Sequence, residues 1–182
     1  MIEELENPGA AKEPQPVVNH QIQSQPSQFD ILFSDDGRYC ILEDGIKTYR
    51  VDLLNRGPWQ DNVSYRLESI QNADGTYFPL PHGRRGMQRE DGSGPCPLST
   101  ASPKYGRFVR LNEKNKKSKI EVLTLAPLRE GRYENDPIYL ERGTYVIALS
   151  LNPRQGLPCQ KRFMVSVDGR QLRVQQAIEG EL

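Results

Sequence analysis

The chain has 182 residues, enough for one domain with a real core plus a tail. Hydrophobic residues make up 36% and mean hydropathy is -0.70, so part of the chain is expected outside the packed region. Lys plus Arg and Asp plus Glu are 24 each, a balance that singles out no partner.

Residues 1–28 are rich in Pro, Gln, Glu and Asn and nearly free of large apolar side chains. Such a stretch cannot offset its ordering entropy by burial, which predicts a disordered tail. Its start has no basic region followed by an apolar one, so no secretory signal is expected. No run in the chain approaches the roughly 20 apolar residues of a membrane span.

From Phe29 the texture changes. "FDILF" and "RYCILE" are short apolar runs separated by the turn signal "SDDG". "IKTYRVDLLN" alternates Tyr49, Val51 and Leu53 with Arg50 and Asp52, and "NVSYRLESI" does the same with Val63, Tyr65 and Leu67. Period-two alternation predicts antiparallel strands with one wet face. Residues 79–105 are dense in Pro, Gly and Ser with no periodicity and read as a long loop. "GRFVRLN", "SKIEVLTLAPL", "IYLERGTYVIALSL", "KRFMVSVD" and "RQLRVQQ" then continue as strands, with a second loop at "REGRYENDP". Residues 177–182 read as a short tail. The expected fold is all-β, an antiparallel sandwich or barrel of seven or more strands over residues 29–176.

Leu140-Glu141-Arg142-Gly143-Thr144-Tyr145 precedes the strongest alternating strand. In Greek-key sandwiches a tyrosine near the start of the penultimate strand sends its hydroxyl back to an upstream backbone group. The preceding glycine permits a positive φ or a close approach. Tyr145 is therefore expected to be buried, with its hydroxyl on backbone near Tyr139 to Glu141. With "YRVDLLNRG", "NVSYRLESI" and "RFMVSVDGRQLRV", this order resembles the immunoglobulin-like or fibronectin-III-like domains of many uncharacterised bacterial proteins. The resemblance spans Phe29 to Val174 and implies an Ig-like β-sandwich with no catalytic residues. The Cys…Trp…Cys core of antibody domains is missing, since Trp59 stands in a Gly-Pro turn.

Cys40, Cys96 and Cys159 are odd in number and widely spaced. No zinc site is expected, and free thiols in a reducing cytoplasm are. A hydrolase would pair Cys96 or a serine with His82 as base, yet Cys96 sits between two prolines with no helix N-terminus to activate it. "DGSGP" is no phosphate loop, so no cofactor is implied. Asp35-Asp36-Gly37 reads as a turn rather than a cation site.

Two binding readings remain. From His82 to Lys119 ten basic residues face only Glu90, Asp91 and Glu113, a net of +7. That segment suggests nucleic-acid or other anion binding through Lys104, Arg107, Lys114, Lys116, Lys117 and Lys119, with Tyr105 and Phe108 as stacking surfaces. The preferred expectation is a non-catalytic module that binds another protein through the 79–105 loop or a sheet edge. Arg84, Arg85 and Arg89 would pair with anionic groups there, and Met87 would supply an apolar contact.

Overall fold

The computed structural model describes residues 27–177, apart from residues 35, 82–85, 93, 101–103, 114–118, 129 and 131. These residues form two antiparallel sheets packed face to face, and the all-β expectation holds. One sheet runs β1 (Phe29–Leu32), β3 (Ile46–Asn55), β7 (Lys104–Asn112), β8 (Lys119–Val122) and β11 (Ile138–Leu140). The strand β2 (Cys40–Glu43) also pairs with β3. The other sheet runs β10 (Tyr133–Asn135), β9 (Thr124–Pro127), β5 (Gly86–Met87), β4 (Gln60–Asn72), β12 (Thr144–Asn152), β13 (Cys159–Asp168) and β14 (Gln171–Gln176). Its β4 also carries β6 (Cys96–Leu98).

The alternating residues of the strands face one another between the sheets. Val51 and Leu53 of β3 meet Leu67 of β4, Ile147 and Leu149 of β12, and Phe163 and Val165 of β13 in one buried cluster. Phe163 sits at its centre, 5.3 Å from the Phe108 ring and 6.2 Å from the Phe33 ring. A bulge in β7 allows this: Tyr49 pairs with Val109 and Arg50 with Arg107, so Phe108 is the extra residue. Both Phe108 and Val109 are then buried.

Residues 79–105 depart from the loop expectation. They contribute β5 and β6 and bury Met87, Cys96 and Leu98 in the core. The segment crosses between the sheets. Gly86 pairs with Arg66 on one side and Leu125 on the other. Two residues later Gln88 donates its N–H to Leu123 O (3.0 Å), and its carbonyl accepts from Arg107 N (2.9 Å). Leu123 is also where the chain leaves β8 in one sheet and enters β9 in the other. This corner closes one side of the sandwich with backbone hydrogen bonds, a common way to protect an edge.

The tail boundary also moves. Ser27 Oγ donates to Leu157 O (2.9 Å), and Gln28 O accepts from Arg56 N (2.7 Å), so both residues belong to the fold. The rest of the expected tails, residues 1–26 and 178–182, lies outside the described residues.

At the β11–β12 corner, Tyr145 Oη donates to Glu141 O at 3.0 Å, the expected bond. Tyr145 is half-buried rather than buried, because it stands at the strand entrance where one ring edge meets water. Gly143 has no positive φ, and a Cβ there would lie 3.5 Å from the Tyr145 ring, an ordinary contact. The glycine is tolerated there rather than required. Tyr145→Phe should cost about 0.5–1.5 kcal/mol, because water can reach the freed carbonyl. A denaturant melt with an unchanged midpoint would show that this bond adds nothing to stability.

Candidate functional site

The expected site residues fall into three groups. Met87 is 1% exposed and belongs to the core, so it is no surface contact by itself. Arg89 is buried as well. Its Nε donates to Asp91 Oδ1 (2.9 Å) and its guanidinium also donates to Gly94 O. Arg84, Arg85, Lys114, Lys116 and Lys117 lie outside the described residues, as does His82.

The described basic residues of the +7 segment are paired. Lys104 bonds Asp91, Arg107 bonds Glu43 (2.7 Å), Arg110 bonds Glu121, and Lys119 bonds Glu141 (3.0 Å). Burial alone would raise the Asp91 carboxyl, yet hydrogen bonds from Lys104 and Arg89 hold it below its ordinary value. Three of these carboxylates, Glu43, Glu121 and Glu141, come from outside the basic segment and reach it only through strand pairing. Phe108 is core, and the Tyr105 ring lies under the Arg50 guanidinium at 4.0 Å. Phe108 therefore offers no stacking surface, and one face of Tyr105 is taken by Arg50.

Cys96 is 2% exposed, and burial pushes its thiol up from the ordinary value. Cys159 is raised in the same way. Neither has the thiolate character that nucleophilic chemistry needs. Among the described residues no group of three His, Cys, Asp or Glu side chains could hold a metal ion, and no helix is long and apolar enough to cross a membrane.

Two hollows remain. The larger, about 450 Å³, opens where β5 is only two residues long and leaves a gap between β4 and β9. Its floor is Tyr65, Met87 and Leu125, all buried, and its walls are Pro95, Pro127 and Tyr133. The Tyr133 ring packs on Gly94, where a Cβ would come within 2.9 Å of it, so the wall is fixed by a close approach. Arg66 stands exposed on the rim and forms no ion pair with any described residue. Among its described residues the 79–105 segment reaches this groove through Gly86, Met87, Gly94 and Pro95, and Arg89 does not line it.

The second hollow, about 360 Å³, lies between the β3–β4 and β12–β13 turns and is lined by Trp59, Gln60, Asp61, Arg154 and Gln155. Nothing in the alternation pattern pointed here. The available signal was an aromatic residue in a turn, followed by the polar pair Gln60-Asp61.

No family model, curated protein or solved structure matches the chain.

Proposed function

We propose that the chain is a non-catalytic, immunoglobulin-like module that binds another protein, through the groove between β4, β5 and β9. The observation that carries this reading is the groove itself. A floor of Met87 and Leu125 and walls of Pro95, Pro127 and Tyr133 lie beside Arg66, a cation with no ion pair among the described residues. Apolar, aromatic-lined concavities with a few placed polar groups are the usual form of recognition sites. The fitting partner is an extended segment that puts an apolar side chain into the groove and a carboxylate on Arg66.

The immunoglobulin-like assignment is supported in part by strand order. β1 and β3 lie side by side in one sheet, and β4, β12 and β13 in the other, in the places of strands A, B and C, F, G. The Tyr145–Glu141 bond adds the corner. The strands between differ: β7, not the strand that leads into the corner, is the neighbour of β3. The buried, raised Cys96 thiol supports a non-catalytic role, and the three unpaired cysteines support a cytoplasmic location.

Deleting residues 82–104 would not test the surface, because it removes Met87, Cys96 and Leu98 from the core. The test is selection of random peptides displayed on phage against the full chain, followed by binding to Arg66→Glu. Enriched peptides should combine an acidic residue with an apolar one. They should bind Arg66→Glu roughly tenfold or more weakly, the loss of one charge-assisted contact plus repulsion. Peptides that bind wild type and Arg66→Glu equally would rule the groove out.

A further inference from the structure

We infer that the hollow at Trp59 is a second binding site, and that its ligand is a neutral saccharide. The site is independent of the groove and draws on different residues. Trp59 is 63% exposed, the largest side chain the fold leaves in solvent. An indole that merely tolerated exposure would sit on a loose turn, but this turn is pinned. Asn55 Nδ2 donates to Pro58 O (2.8 Å) and to Leu98 O (2.9 Å), while Asn55 Oδ1 accepts from Gly57 N (2.9 Å). Asn55 is 4% exposed, and its buried amide ties the Gly57-Pro58 turn before Trp59 to the backbone of Leu98.

Directly after Trp59 the backbone is distorted. Gln60 pairs with Leu98 and Val63 with Cys96, which leaves one extra residue in β4. Asn62, within that bulge, has φ 60. A left-handed residue inside a strand costs energy and re-aims its neighbours. Here the re-aimed neighbours are Gln60 and Asp61, both of which line the hollow. The opposite wall, Arg154 and Gln155, belongs to a turn anchored by the Ser27–Leu157 hydrogen bond and by Gly156 at φ 101.

The chemistry of the lining selects the ligand. Arg154 and Asp61 share the hollow but form no ion pair with each other or with any described residue. One positive and one negative group leave the site neutral, so a phosphate or other anion would meet Asp61 and a cation would meet Arg154. The remaining groups, two primary amides, are donors and acceptors at once. Planar amide, carboxylate and guanidinium groups match the paired hydroxyls of a sugar ring. The negative face of an indole suits the sugar's C–H face. A volume of about 360 Å³ falls at the lower end of ordinary ligand sites, which run from about 300 to 1,000 Å³.

Trp59 is the only tryptophan in the chain, so intrinsic tryptophan fluorescence reports on this site alone. The full chain is titrated with maltohexaose, cellohexaose, chitohexaose and, for comparison, adenosine. At least one saccharide should give a saturable blue shift below about 10 mM. Asp61→Ala and Gln155→Ala should each weaken it roughly tenfold with the thermal midpoint unchanged. Flat titrations with all three saccharides overturn the proposal, as does a shift that neither substitution alters. So does tighter binding of adenosine than of any saccharide. Trp59→Ala must also leave capture of the groove-binding peptides intact; if it abolishes that capture, Trp59 belongs to a protein-binding surface instead.

Discussion

Phe163→Ala should destabilise the protein by about 3–5 kcal/mol, the range for removing a buried aromatic ring. Phe163 is fully buried and bridges the two sheets, touching Phe108 from the β7 bulge and Phe33 after β1. No neighbouring segment is free to collapse into the space, because both sheets are tied by strand pairing on either side of it. Typical domains have only about 5–15 kcal/mol of stability, so the loss would take a large share of the total. A thermal melt should show a midpoint lower by about 10 °C or more. A shift of only a degree or two would mean that the two sheets do not meet at Phe163.

Gly106→Ala should cost about 1–3 kcal/mol, and for a reason specific to one neighbour. A Cβ at Gly106 would stand 2.4 Å from a ring carbon of Tyr65 and 2.7 Å from the next. Gly106 has no positive φ, so the effect is spatial and not conformational. Neither partner can yield easily. Gly106 is paired with Val51 and bridged to Arg89, and the Tyr65 hydroxyl reaches Arg107 O at 3.4 Å. Combining Gly106→Ala with Tyr65→Leu should therefore cost less than the two changes separately, by about 0.5–3 kcal/mol. Strict additivity in denaturant melts would place the strain elsewhere.

Both predictions depend on parts of the fold that differ in how readily the sequence displays them. β3, β4 and β12 to β14 were legible, because apolar residues on alternate positions report a buried face directly. Even there the second face was misjudged. Val146, Ala148 and Ser150 of β12 are buried too, and Ser150 Oγ donates to Glu68 Oε1 (2.5 Å). β12 is an interior strand of its sheet, flanked by β4 and β13, a position set by its partners rather than by its own residues.

The 86–98 crossing was illegible for a different reason. Strands of two and three residues are too short for any period, and Gly, Pro and Cys carry no strand preference. What fixes them is pairing with Gln60, Val63, Arg66 and Leu125, while Gln88 and Glu90 between them bond Leu123, Tyr105 and Arg107. The charge segment is a similar case: its net of +7 is a count along the chain, whereas Glu43, Glu121 and Glu141 meet Arg107, Arg110 and Lys119 from elsewhere in the fold. The groove inherits this history. Met87 lines the groove as its buried floor and not as the exposed apolar contact expected of it, while Arg66 from an expected strand and Tyr133 from an expected loop gave no hint of binding.

The central claim is that the short crossing strand leaves a peptide-binding groove between β4 and β9. Backbone amide shifts of the isotope-labelled full chain, recorded by NMR during titration with one phage-selected acidic-apolar peptide, test it most directly. The expected result is that shifts concentrate at Ser64 to Arg66, Gly86, Met87, Gly94, Leu125 and Tyr133, with the Trp59 turn unmoved. Shifts centred on any other face, with the groove amides unchanged at saturation, would contradict it.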